Sequence, residues 1–111
     1  MIDTTQIRDS VAAICQKFGE KYWRILDKNK EYPTDFVKEM TTSGFLNILI
    51  PLEYGGAGLG LKEACVVLEE ISLQGAHAGA CHAQMYVMGT LLRHGSDRQK
   101  KNFFQKYLLE S

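Results

Sequence analysis

The sequence predicts an all-α fold, a helical bundle of about five helices with an extended apolar connector and a glycine-rich loop. Three observations carry this. Apolar residues recur at steps of three and four through most of the 111 residues. Start and stop residues separate the stripes. Only one short run, Phe45 to Ile50, suits a strand, and there is no second β-rich run for it to pair with.

Ile7, Val11, Ile14, Phe18 and Tyr22 form one stripe on a helix expected to begin near Thr4 or Thr5. Lys28-Asn29-Lys30-Glu31 reads as a solvated turn. Tyr32-Pro33-Thr34 reads as a helix start, with proline fixing φ in the first turn. Phe36, Val37 and Met40 give the next stripe, which Gly44 ends as the residue after the cap. Phe45 to Ile50, closed by Pro51, is expected to cross the core as an extended segment.

Leu61, Ala64, Cys65, Leu68, Ile71 and Ser72 form a third stripe, with Lys62, Glu63, Glu69 and Glu70 mainly on its wet side. The segment from Gly75 to His94 opens with small residues and continues with bulky apolar ones from Met85 to Leu92. Its small half lets a neighbouring backbone or a ligand lie close. Gly95 stops that helix, and Ser96 with Gln99 three positions on forms a capping box for the last one. Phe103, Phe104, Tyr107 and Leu108 are expected to supply the buried face of that last helix.

The length suits one domain. Thirteen basic residues balance 13 acidic ones, so no net field favours nucleic acid or an anionic membrane surface. No apolar run reaches the roughly 20 residues needed to span a bilayer, and Met1 to Thr5 lacks a basic segment leading into an apolar one. Cys15, Cys65 and Cys81 fit neither a disulfide framework nor a zinc ribbon, and they read as buried thiols. A cytoplasmic, reducing compartment is the expectation.

Tyr54-Gly55-Gly56-Ala57-Gly58-Leu59-Gly60 invites a phosphate-binding reading, but neither nucleotide register fits. From Gly56, position 61 is Leu; from Gly58, position 63 is Glu; no Gly-Lys-Ser/Thr follows. A structural connector is expected. His77 and Cys81 have the spacing of two metal ligands on one helix, but no third ligand is evident and ordinary packing is favoured. Adjacent Glu69 and Glu70 diverge on a helix, which suits a solvated face better than an acid/base pair. No nucleophile motif accompanies the three histidines. Gly79, His82, Ala83 and Tyr86 line one helical face, two small residues beside two amphipathic ones. Periodicity alone allows either plain helix packing or the wall of an elongated apolar ligand site.

Three stretches together resemble the N-terminal helical domain of the flavin-dependent acyl-CoA dehydrogenases. They are Gly44 to Gly58, containing Ile50-Pro51-Leu52-Glu53-Tyr54-Gly55-Gly56-Ala57-Gly58; Leu68-Glu69-Glu70-Ile71; and Gly95-Ser96-Asp97-Arg98-Gln99-Lys100. The resemblance covers nearly the whole chain. It implies a piece of a longer enzyme that removes the α and β hydrogens of an acyl-CoA thioester, a carboxylate taking the α proton and flavin N5 the β hydride.

By that resemblance residues 1–111 carry no catalytic and no cofactor-binding residue. FAD is bound mainly by domains beyond Ser111, and the chain alone is expected to be inactive. The implied partners are the acyl-CoA substrate, the flavin and C-terminal domains of the same enzyme, and an electron-transfer acceptor, in a complete protein that is homo-oligomeric. Gly79, His82, Ala83 and Tyr86 become the substrate-binding residues: Gly79 and Ala83 admit the acyl chain, while His82 and Tyr86 limit its length or touch a polar substituent. Thr90 and Gln105 stand where many members have proline, so both helices should run straighter. From a different class, a free-standing helical module that binds a partner protein or hydrophobic ligand is the alternative.

Overall fold

The computed structural model describes residues 3–109, the side chains of residues 105 and 107–109 excepted. Among the described residues there are six α-helices and no strand: α1 (Thr4–Lys17), α2 (Glu20–Asn29), α3 (Thr34–Thr42), α4 (Leu61–Leu73), α5 (Gly79–His94) and α6 (Asp97–Leu109), with a 3₁₀ turn at Leu52–Tyr54. The all-α expectation holds.

Local chemistry fixes several boundaries. The Asp3 carboxylate accepts from the Thr5 amide and starts α1. At the end of α3, Gly44 takes φ +87°, its amide donates to the Thr41 carbonyl, and the Phe45 amide donates to that of Met40. The same paired bonds recur after α4, where Gly75 donates to Ser72 and Ala76 to Ile71. The capping box at α6 is formed, the Ser96 amide donating to Gln99 Oε1 at 2.9 Å and the Gln99 amide to Ser96 Oγ at 3.2 Å.

The first stripe does not lie on one helix. The chain breaks at Phe18 and Gly19, so Tyr22 belongs to α2. The break turns α2 so that Phe18, Tyr22, Trp23 and Phe36 form an edge-to-face cluster with ring centroids 4.9–5.5 Å apart. Phe18 and Tyr22 keep their inward side across the break, which is why the stripe reads as continuous.

Phe45 to Ile50 is a succession of turns and not an extended crossing. Leu46, Ile48 and Ile50 are buried, and the Ile50 amide closes a turn onto the Asn47 carbonyl. Among the described residues two apolar clusters result. The larger joins Ile7, Val11, Ile14 and Cys15 of α1 to Phe36 and Met40 of α3 and to Ala64, Val67 and Ile71 of α4. The smaller gathers Ile50, Met88 and Phe104, with Tyr54 against Phe104 at 5.4 Å.

Five further expectations are corrected. Glu70 is buried: α4 packs on α1 along Ala64, Val67 and Ile71, and that rotation carries Glu70 inward, where Gln74 Nε2 donates to it at 2.8 Å and Arg8 lies at 3.6 Å. The same rotation exposes Leu61, Cys65 and Ser72. Phe103 is 48% exposed while Phe104 is fully buried, because α6 turns only one of two adjacent rings toward α5. The expectations placed on Tyr107, Leu108 and Gln105 lie outside the described side chains.

Candidate functional site

The candidate face belongs to α5, which runs uninterrupted through Thr90, whose hydroxyl donates to the Tyr86 carbonyl at 2.8 Å. Cys81, Met85 and Met88 anchor the helix in the core. One turn of helix is 3.6 residues, so this anchoring leaves His82, Ala83 and Tyr86 turned outward or to the side. Tyr86 is 57% exposed, and the His82 and Tyr86 rings meet edge to face at 5.4 Å. Gly79 opens the helix, and a β-carbon built there meets nothing within 4 Å. Ala83 is half-buried.

A groove of about 600 Å³ runs between α4 and α5. Leu49, Leu61, Ala64, Cys65 and Leu68 form one wall; His82, Met85, Tyr86, Gly89, Thr90, Leu92, Arg93 and His94 form the other. The structure therefore brings His82 and Tyr86 together in a concave site and leaves Gly79 and Ala83 outside its lining. Gly89 and Arg93 continue the His82 face at seven and eleven positions along, a period visible in the sequence. Cys65 and Leu61 enter the groove only through the rotation of α4.

A second cavity of about 620 Å³ lies at the break between α1 and α2. Its rim of Gln16, Glu20, Arg24, Asp27 and Gln74 is polar, and Arg24 already pairs with Glu20. His77 also lines it, with its ring 5.2 Å from that of Trp23. His77 precedes α5 while Cys81 is buried within it, so the two share no helical face. No group of three metal-ligating side chains occurs among the described residues.

The glycine loop is tied down by its own backbone. Gly55 donates to Leu52, Gly56 to Pro51, Ala57 to Asn47, Gly58 to Ile50 and Leu59 to Ile48, at 2.8–3.3 Å. The Gly60 amide donates to the Glu63 carboxylate at 3.3 Å. Every amide from residue 55 to 60 thus has a partner inside the chain, whereas a phosphate cradle requires amides free to point at the ligand.

The thiols divide by position. Cys65 is exposed in the groove; Cys15 and Cys81 are buried. Burial, with the Glu70 carboxylate adding to it, pushes the Cys15 thiol up to about 11. Burial, with Cys15 adding to it, pushes Cys81 up to about 12. Neither is a nucleophile at neutral pH. No helix among the described residues is long and apolar enough to cross a membrane.

Comparison with known proteins connects this architecture to a family. The model for the acyl-CoA dehydrogenase N-terminal domain matches residues 3–110. Isovaleryl-CoA dehydrogenase, mitochondrial, of Pongo abelii is 32% identical over 113 residues, covering 93% of this chain and 25% of that protein. An acyl-CoA dehydrogenase of Mycobacterium tuberculosis is 30% identical over 98 residues, covering 87% of this chain and 25% of its own length. A 3-(aryl)acrylate reductase of Clostridium sporogenes is 37% identical over 82 residues, covering 72% and 22% respectively. The chain spans about a quarter of the length of these relatives. No solved structure matches it at a significant level. With the match running from residue 3 to residue 110 over an all-helical domain, the chain belongs to the acyl-CoA dehydrogenase family, as its N-terminal domain.

Proposed function

We propose that this domain works within a complete FAD-dependent acyl-CoA dehydrogenase that forms the α,β double bond of an acyl-CoA thioester. It contributes a wall of the acyl-chain pocket and is inactive alone. The observation that carries this reading is the outward side of α5: Tyr86 and Val87 are 57% and 38% exposed, and Gly79 stands open, on a helix whose other side is anchored in the core. Apolar side chains left uncovered on one side of a helix suit a surface completed by further domains.

On this proposal Gly79 and Ala83 admit the acyl chain, and His82 and Tyr86 set its length or meet a polar substituent. When bound, FAD accepts the two hydrogens removed from the substrate. The engaged amides of residues 55–60 do not fit its pyrophosphate, so we assign the cofactor to the following domains, together with the catalytic base. An electron-transfer acceptor, homo-oligomeric assembly and a cytoplasmic location complete the proposal.

The reading is tested by measuring chain-length preference in the complete enzyme carrying Ala83→Phe. A shift of kcat/KM toward shorter acyl chains is expected, since bulk is added where the chain would lie. Unchanged preference would remove α5 from the pocket. The mass and visible absorbance of the protein from its native gene test the larger claim: a flavin band on a protein well above 12.5 kDa is expected. A flavin-free protein of that mass would favour a free-standing helical module.

A further inference from the structure

The cavity at the α1–α2 break holds a donor that the fold leaves unused. Trp23 is 7% exposed, yet among the described residues its indole N–H meets no acceptor. Asn47 Oδ1 alone is a side-chain polar atom sealed from solvent without a partner among the described residues, so the Trp23 nitrogen is reachable from outside. A buried tryptophan ordinarily gives this N–H to an acceptor. Tyr22 and Phe36 meet the ring edge to face, and His77 lies at 5.2 Å. What stays open borders the cavity of about 620 Å³ and a smaller one of about 200 Å³, which share Trp23, Asp27 and His77.

The charges around this ring leave one carboxylate over. Glu20 pairs with Arg24, and on the smaller cavity the adjacent Lys30 and Glu31 offset each other. Asp27 lines both cavities and enters no ion pair among the described residues. The other titratable groups there are the Cys15 thiol, which is protonated, and the His77 imidazole. Trp23 and Asp27 are one helical turn apart on α2, so donor and carboxylate share a face, about 6 Å apart along the axis.

We propose that this cavity binds a small aromatic amine carrying a ring oxygen, the oxygen accepting from Trp23 Nε1, the ring beside His77 and the ammonium on Asp27. The ring oxygen is required because a ligand without it leaves the indole N–H unmet. The amine is required because the unpaired charge is negative, and an acid of the same shape would bring a like charge to Asp27.

Trp23 is the single tryptophan of the 111-residue chain, so its indole N–H gives one side-chain signal of its own in the isotopically labelled protein. Tyramine, phenethylamine and para-hydroxyphenylpropanoate are titrated in turn. Tyramine is expected to shift that signal in a saturable way, together with the amides of Gly19 and Gly75 in the same lining. Phenethylamine, which lacks the acceptor, is expected to bind about twofold to tenfold more weakly, as suits one hydrogen bond. The acid is expected to bind more weakly than tyramine. Asp27→Asn, a change at an exposed position, is expected to weaken tyramine by about twofold to fivefold, as suits an exposed ion pair, and to leave the acid no weaker. The proposal is overturned if tyramine does not move the indole signal, if phenethylamine or the acid binds as well as tyramine, or if Asp27→Asn binds tyramine as the parent does. This cavity shares no lining residue with the groove between α4 and α5, so none of these results bears on the Ala83→Phe test.

Discussion

Gly56 packs so closely on Ile50 that a β-carbon on residue 56 would stand 2.2 Å from the Ile50 carbonyl oxygen and 2.4 Å from the Ile50 β-carbon. The contact is backbone against backbone, so no side-chain rotation relieves it. It is made as the Gly55–Gly60 loop folds over residues 47–50, where Gly58 donates to the Ile50 carbonyl at 2.8 Å. Ile50 is itself fully buried against Met88 and Phe104, so the loop holds α5 and α6 to the rest of the domain.

Gly56→Ala is therefore expected to destabilise the chain by about 2–3 kcal/mol, the range for overpacking that the backbone must absorb. Gly89→Ala, at a helical glycine with open space around it, is expected to stabilise it by about 0.5–1 kcal/mol. Urea midpoints of the two variants decide the matter. Equal midpoints would mean that the loop lifts away from Ile50 at little cost.

Two adjacent glutamates are expected to behave differently. Glu70 is 8% exposed and takes a hydrogen bond from Gln74, with Arg8 at 3.6 Å. Glu69 pairs with the same Arg8 at 3.0 Å but is 61% exposed at its side chain. Removing the buried carboxylate takes away the acceptor of the Gln74 side-chain bond and the buried one of the two carboxylates beside Arg8, so Glu70→Ala should cost about 1–3 kcal/mol. Glu69→Ala should stay within about 0.5 kcal/mol. Equal effects in chemical denaturation would contradict the burial of Glu70.

The cysteines offer a pH-dependent check. Cys15 and Cys81 ionise near 9.0 when unfolded, but in the fold burial raises them to about 11 and 12. The fold favours the protonated thiol, so this contribution is fully present below pH 9 and is lost as pH rises toward 11. Over that window the stability should fall by about 1.4 kcal/mol per pH unit for each thiol. The slope is expected to shrink in a Cys15→Ser, Cys81→Ala chain. At neutral pH a thiol reagent should modify Cys65 alone in the folded chain; modification of all three without denaturant would show the core to be open.

What sequence alone determined is local. The ends at Gly44 and Gly95 and the box of Ser96 with Gln99 follow from groups a few residues apart, and their bonds form where expected. The stripes of α1 and α3 were legible because their 3.6-residue period is a property of the helix itself. So was the loop's failure to match a nucleotide register. His82 and Tyr86 stood out by the same period.

Tertiary structure decided the rest, because it depends on which face meets which. The break at Phe18 and Gly19 is set by the aromatic cluster that Trp23 and Phe36 complete from elsewhere in the chain. The rotation of α4 against α1 buries Glu70 and exposes Cys65, two outcomes that the pattern of α4 leaves open until a partner helix chooses among its faces. His77 leaves the helical register to lie on Trp23. The groove exists only because α4 and α5 stand side by side, so Gly89 and Arg93 acquire meaning from a neighbour 20 to 30 residues earlier in the chain.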